Sequence, residues 1–298
     1  MRVFFRTDAS VRIGTGHVMR CLTLADALRA RGAEVAFVCG DLEGNLLGYI
    51  RQSGFSAYAL PRPAAAAAAE RDAPAHAHWS ESSWSDDAEG TAAAIQKAGG
   101  AADWLVVDHY ALDARWEERM RPHAARLFCI DDLADRGHAC DLILDQNLFD
   151  GPSDRYARLL PEACRRLLGP GFAILRPEFA SIRSGLRPRD GQVRRVLVSF
   201  GGADLGNAAS LAVEALSLPE FSGLEVEVVA GALNPHRQAL EAVCARRAGT
   251  TVYHHVKNMA ELMARADLAI GAGGTTTWER CCLGLPTLTA SVADNQRE

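Results

Sequence analysis

The feature that most constrains this chain is a repeated alternation of short apolar runs with stretches of helical periodicity. Val3-Phe4-Phe5, Val35 to Cys39, Trp104 to Asp108, Leu127 to Asp131 and Leu142 to Asp145 each read as a buried strand. Between the first two, Val18, Cys21, Leu22, Ala25 and Leu28 recur on one helix face, and Gly32 closes that helix. Leu112, Trp116 and Met120 mark another helix over Asp113 to Ala124. Strand, helix, strand in this rhythm is the pattern of a parallel sheet flanked by helices.

The rhythm breaks over residues 150–194, where Leu168-Gly169-Pro170-Gly171 and Arg187-Pro188-Arg189-Asp190-Gly191 supply turn residues. It resumes with Val196 to Phe200, Val226 to Ala230, Thr251 to Tyr253 and Leu268 to Gly271. With 298 residues, two domains or one large one are expected from length, and the resumed series favours two. The reading is α/β, with two Rossmann-like doubly wound lobes and a cleft between them. The first lobe spans 1–177, a linker 178–191 and the second lobe 192–298. Residues 61–90 open with Pro61-Arg62-Pro63 and the alanine run Ala64 to Ala69, and read as a surface insertion or flap. After Pro286 to Thr289 no helix remains to cover the last strand, so the second lobe reads as truncated or completed by a partner.

Charge and composition narrow the function classes. The 32 basic and 37 acidic residues give a net charge of −5, which argues against a nucleic-acid-binding face. No apolar run of membrane-spanning length occurs, and the charged start Met1 to Arg6 does not fit a signal peptide, so a cytoplasmic protein without membrane contact is expected. The eight cysteines are scattered without a C-x-x-C pair and read as free thiols, and adjacent Cys281-Cys282 would diverge on a helix.

Four segments carry chemistry. Gly14-Thr15-Gly16-His17-Val18-Met19-Arg20 lies between a strand and an amphipathic helix, where glycines permit close backbone approach and free amides attract anions. The third glycine of the dinucleotide fingerprint is replaced by Met19, which removes most support for hydride transfer. At a helix start His17 is favoured as neutral imidazole, a general base if it faces a cleft, or simply a cap. Asp108-His109-Tyr110 ends a strand. Asp108 could orient an imidazole and Tyr110 could bind a sugar or phosphate, unless the segment is an ordinary strand exit. By position, Asp8 and Asp108 are both possible orienters of His17.

Ser199-Phe200-Gly201-Gly202-Ala203-Asp204, before Asn207, has the shape of a phosphate cradle without a P-loop lysine. Gly273-Gly274-Thr275 repeats the theme at a helix start. Glu279, one turn on, could accept two hydrogen bonds from a ribose diol. No metal site is expected. Asp131-Asp132-x-x-Asp135 reads as a solvated turn with capping aspartates, and His76-x-His78 as a solvated loop.

In this order, Arg6-Thr7-Asp8, Ile13-Gly14-Thr15-Gly16-His17-x-x-Arg20, Val107-Asp108-His109-Tyr110, Ile130-Asp131-Asp132, Ser199-Phe200-Gly201-Gly202-x-Asp204 and Asp294-Asn295-Gln296 resemble the UDP-2,4-diacetamido-2,4,6-trideoxy-β-L-altropyranose hydrolases of pseudaminic acid biosynthesis. That family is similar to the N-acetylglucosaminyltransferase that forms lipid II. The resemblance implies a GT-B architecture, a UDP-sugar and water as reactants, no cofactor, and inverting hydrolysis at the anomeric carbon. It further implies a place in flagellin glycosylation. By the same resemblance His17 is the catalytic base, Tyr110 and Asn295 are further active-site residues, and Gly14, Gly16, Arg20 and Asp108 line the substrate. Asn207, Gly273, Gly274, Thr275 and Glu279 match the UDP side. A monomer is expected. The competing readings are a glycosyltransferase with the same donor, a non-catalytic UDP-sugar-binding protein and a UDP-sugar epimerase.

Overall fold

Seven parallel strands form the sheet of the first unit, Met1–Ile174, among the described residues of this computed structural model. The described residues are 1–62, 74, 76–79, 81–149, 155–254, 256 and 258–292. The strands are β1 (Arg2–Thr7), β2 (Glu34–Gly40), β3 (Ser56–Leu60), β4 (Ala102–Asp108), β5 (Ala124–Ile130), β6 (Leu142–Asp145) and β7 (Arg165–Leu168), in the order β3-β2-β1-β4-β5-β6-β7. Helices α1 (Gly16–Arg29), α2 (Leu47–Gln52), α3 (Trp84–Lys97) and α4 (Ala114–Met120) connect them.

Alternation along β1 shows why both sheet faces are covered. Phe4 points into a core with Val38, Leu105, Trp116 and Met120, while Val3 and Phe5 join Phe37, Val106 and the α1 residues Val18, Cys21, Leu22 and Ala25. β1 pairs with β2 on one side and β4 on the other, so the strand order reverses there. Thr7 stands opposite Asp108 in that register. The crevice beyond the carboxyl ends of strands at such a reversal is where ligands of doubly wound sheets collect.

The second unit, Leu175–Glu298, repeats the plan. Its strands β8 (Arg195–Ser199), β9 (Glu225–Ala230), β10 (Thr250–His254), β11 (Leu268–Ala272) and β12 (Thr287–Ala290) run parallel in the order β10-β9-β8-β11-β12. The helices are α5 (Pro177–Gly185), α6 (Ala208–Ala215), α7 (Arg237–Arg246), α8 (Met259–Arg265) and α9 (Thr276–Cys282). Its reversal point is between β8 and β11, where glycine is required. A Cβ on Gly271 would stand 2.4 Å from the Ser199 carbonyl oxygen. The α/β, doubly wound expectation holds in both units.

Two segments differ from their sequence reading. Residues 178–191, expected as linker, carry most of α5, and Phe179 is fully buried against Leu197, Met263 and Leu283. Pro177 at the first helical position starts that helix instead of breaking the chain. Within 61–90, residues from Trp84 onward belong to α3. Ser83 caps this helix by accepting from the Asp86 amide, and Asp87 and Ala88 are buried. Residues 63–73, 75 and 80, and the side chain of His78, lie outside the described residues. No helix among the described residues is long and apolar enough to cross a membrane.

Candidate active site at the end of the first sheet

The loop from β1 to α1 turns on Gly14, whose φ of +79° lies in the left-handed region and whose amide donates to the Ser10 carbonyl at 2.8 Å. Ser10 Oγ accepts from the amides of Arg12 and Ile13. α1 then begins at Gly16 with no side-chain cap at Thr15 and no acidic residue in its first turn. Its N-terminal amides thus stay open to an anion.

His17, the second residue of α1, is 8% exposed. Its Nδ1 lies 2.6 Å from Asp108 Oδ1 at the end of β4. Asp108 is therefore the orienting carboxylate, and Asp8 is engaged elsewhere. The same Asp108 accepts from Arg20 Nε at 2.6 Å and Arg20 Nη2 at 2.7 Å. Burial works to raise the Asp108 carboxyl, but Arg20 and His17 outweigh it and hold the group well below the usual carboxylate range. An ionised carboxylate only accepts, so a proton on Nδ1 faces Asp108, and in the neutral ring the lone pair lies on Nε2. Nε2 makes no hydrogen bond to any described residue.

Arg20, expected on the substrate, also donates through Nη1 to Asp132 Oδ2 at 3.0 Å. Asp132 Oδ1 in turn accepts a short hydrogen bond from the Tyr110 hydroxyl. Burial, then Asp132, push the Tyr110 phenol well above its ordinary value, so it stays a neutral donor. The Tyr110 ring meets His17 edge to face, with centroids 4.7 Å apart. Asp132 is thus part of the site, although its sequence context reads as a turn. Trp79 was also missed; its ring lies 5.8 Å from His17 and 5.1 Å from Tyr110. The other half of the solvated-loop reading, His76, stands against Trp79 and Tyr110.

Behind this layer is a buried ionic support. Arg6 on β1 pairs with Asp8 through two nitrogens at 2.6 and 2.9 Å, and with Asp87 of α3 at 2.5 Å. Burial opposes the Arg6 charge, but Asp8 and Asp87 outweigh it and raise the group above its ordinary value. Trp116 Nε1 completes Asp87 at 2.9 Å. His109 Nε2 lies 3.0 Å from Asp8 Oδ2.

One set of possible metal donors stands out among the described residues. Glu117, Cys129 and His138 bring their ligand atoms within 4.8 Å of one another, all buried. Those atoms already bind each other: His138 Nδ1 is 2.7 Å and Cys129 Sγ 3.0 Å from Glu117 Oε1. The Asp131 side of the expected solvated turn is likewise fully buried, receiving Arg136 at 2.8 Å and the Tyr156 hydroxyl at 3.0 Å.

In the second unit Asn207 opens α6 with a φ of +55°, and its side chain accepts from Ser210. The α6 amides of Ala208 and Ala209 are taken by Asp204 at 2.8 and 3.0 Å, so this residue occupies the anion position of the expected cradle. Gly273, Gly274 and Thr275 lead into α9. The Gly274 amide is held by Thr277 Oγ1 at 3.2 Å, and Thr275 makes no side-chain cap. Glu279 is buried, and its Oε1 accepts from Arg176 Nε at 3.0 Å and Nη2 at 2.9 Å. Burial raises the Glu279 carboxyl despite Arg176. Its Oε2 makes no hydrogen bond to a described residue. Asn295 lies outside the described residues.

No protein-family model matches the chain. It is 24% identical over 306 residues to an uncharacterized protein of Methanocaldococcus jannaschii, covering 100% of this chain and 57% of that protein. To the spore coat polysaccharide biosynthesis protein SpsG of Bacillus subtilis it is 30% identical over 129 residues, 43% of this chain and 38% of the relative. The chain thus spans little more than half of the first relative and less of the second. It is 26% identical over 271 residues to the UDP-2,4-diacetamido-2,4,6-trideoxy-β-L-altropyranose hydrolase of Campylobacter jejuni, 91% of this chain and 84% of that protein. Among solved structures, Acinetobacter baumannii MurG matches with a TM-score of 0.60 and 14% identity over 99% of this chain and 80% of its own. Arabidopsis thaliana UGT89C1, complexed with UDP-L-rhamnose, matches with a TM-score of 0.58 and 14% identity at the same coverage, 99% and 80%. These structures place the chain in the fold class of the GT-B glycosyltransferases.

Proposed function

We propose that this protein hydrolyses a UDP-linked diacetamido-trideoxyhexose at its anomeric carbon, with inversion, as a step of pseudaminic acid biosynthesis. The observation that carries the reading is the His17–Asp108 pair, which leaves Nε2 as a positioned proton acceptor. In the proposed step Nε2 takes a proton from water as the water oxygen bonds to C1. The bond from C1 to the diphosphate oxygen breaks, and its electron pair leaves with UDP. General-base help of this kind contributes about 10²–10⁴-fold. Tyr110 and Asn295 are proposed as further active-site residues, and Gly14 and Gly16 as backbone contacts to the substrate. Asn207, Gly273, Gly274, Thr275 and Glu279 are proposed to hold UDP, with Glu279 Oε2 accepting from the ribose.

The 26% identity to the Campylobacter hydrolase across 91% of the chain supports this substrate class. The test is incubation with the UDP-diacetamido sugar while ¹H NMR follows the anomeric proton. Release of the free sugar with inverted configuration is expected. A glycosyltransferase reading has its own support in the solved neighbours, MurG among them. It predicts negligible UDP release in water and rapid release once a hydroxyl acceptor is added, a result that would displace the hydrolase reading.

A further inference from the structure

We propose that Trp79 is a sugar-contacting residue, the aromatic wall of a subsite beside His17 for a hexose that offers an apolar face and a hydrogen-bond acceptor. This rests on the reading of His17 as the base. Trp79 ends a short 3₁₀ turn, Ala77–Trp79, held by the Ala77 amide on the Pro74 carbonyl and the Trp79 amide on the His76 carbonyl, each at 2.9 Å. Its indole stands edge to face with His17 at 79° and tilted against Tyr110 at 34°.

The two rings that flank His17 are not equivalent. Tyr110 is 2% exposed and its hydroxyl proton is engaged by Asp132, so its ring face and its donor are already occupied. Trp79 is only partly buried. Its indole nitrogen makes no hydrogen bond to a described residue, whereas that of Trp116 is satisfied by Asp87 at 2.9 Å. An indole with an open N–H and accessible ring suits a ligand that is apolar on one side and polar on the other. A group whose C1 comes within reach of His17 Nε2 lies near this ring, whose centroid is 5.8 Å from that of His17. The methyl and acetamido groups of a diacetamido-trideoxyhexose match it: C–H surface against the ring, and an acetamido carbonyl accepting from Nε1.

The experiment uses the intact chain with ¹⁵N-labelled indoles, in a His17→Asn background that preserves substrate. Trp79→Phe identifies the Trp79 signal among the five tryptophans. The expected result is that the UDP-diacetamido sugar shifts the Trp79 indole signal while UDP alone leaves it in place. If the UDP-sugar moves other signals and not that of Trp79, the assignment is wrong and the proposed function stands. If neither nucleotide moves any signal, the proposed function falls and the assignment with it. In kinetics, Trp79→Phe keeps the ring and loses the donor, raising KM about 3- to 10-fold with little change in kcat. Trp79→Ala raises KM about 30-fold or more. A fall in kcat at constant KM would contradict a sugar contact.

Discussion

Arg20 grips Asp108 with two guanidinium nitrogens, at 2.6 and 2.7 Å, one turn along the same helix from His17. Residues three apart share a helix face, so the two side chains reach one carboxylate from the same side. Asp108 cannot rotate without losing one of them, and the imidazole is held in one tautomer by a group that is itself fixed. Pairing also explains how three charged or polar groups persist at a site that water barely reaches.

Replacing Asp108 by Asn tests that arrangement. The amide can donate where the carboxylate accepted, so His17 is expected to turn its lone pair to Nδ1 and lose its acceptor at Nε2. Turnover should fall by about 10²–10⁴-fold. A buried Arg20 deprived of its main partner should destabilise the fold by about 3–5 kcal/mol. Imidazole ¹⁵N shifts report the tautomer, and urea unfolding the stability. Because the Asp108 carboxyl is held low, its stabilising contribution is present above about pH 4, where the unfolded group is ionised, and is lost only as pH falls further through the folded value.

Asp87 should matter to stability although it is remote from the proposed chemistry. It joins Arg6 of β1 to α3 and satisfies Trp116. Asp87→Ala is expected to cost about 3–5 kcal/mol by leaving a buried guanidinium with half its partners, read as a lower urea midpoint. An unchanged midpoint would show that α3 is not held by this pair.

His138 supplies a pH signature. Burial alone would lower its pKa, but Asp131 and Glu117 outweigh burial and raise it to about 10. A folded value above the unfolded value of about 6.5 stabilises fully below that pH, and the contribution is lost as pH rises toward 10. The expected effect is on the order of a few kcal/mol between pH 6.5 and 10, and His138→Gln should remove it. If both proteins lose stability in parallel over that range, His138 is not the cause.

Much of the fold was legible because strands buried on both faces appear as unbroken apolar runs, as in Val35 to Cys39 of β2 and Trp104 to Val107 of β4. β3 and β7 were not, for physical reasons. They lie at the sheet edges and lack an aliphatic run: β3 holds Tyr58 between two alanines, and Arg165 and Arg166 make up half of β7. α3 was hidden by its alanines, although Ser83 as cap and Asp86 and Asp87 in the first turn mark its start. In the candidate site, His17 could be found from the Gly14-Thr15-Gly16 loop at a helix start, and Asp108 and Tyr110 from their place at the end of a strand. Asp132 could not, since its partner Arg20 is 112 residues away and the local pattern is that of a turn. Glu279 is expected on the UDP side from its place one turn beyond the glycine loop and from the family resemblance. Its pairing with Arg176, 103 residues earlier, becomes visible only in the folded chain.

That pairing engages Oε1 of Glu279, and Oε2, which makes no hydrogen bond to a described residue, is the oxygen proposed to meet the ribose. Glu279→Ala is expected to weaken UDP binding by about 10- to 100-fold, the worth of a charged hydrogen bond. Calorimetry with UDP alone measures it, and unchanged affinity would remove Glu279 from the nucleotide site.

The most direct test of the account is a single-turnover reaction of the UDP-diacetamido sugar in H₂¹⁸O, run with the native protein and with His17→Asn. The asparagine can keep a donor on Asp108 while offering no base. The account predicts ¹⁸O on C1 of the released sugar and none in UDP, with a rate lower by about 10²–10⁴-fold in the variant at preserved UDP-sugar affinity. Label appearing in UDP, or a variant that retains most of the native rate, would contradict it.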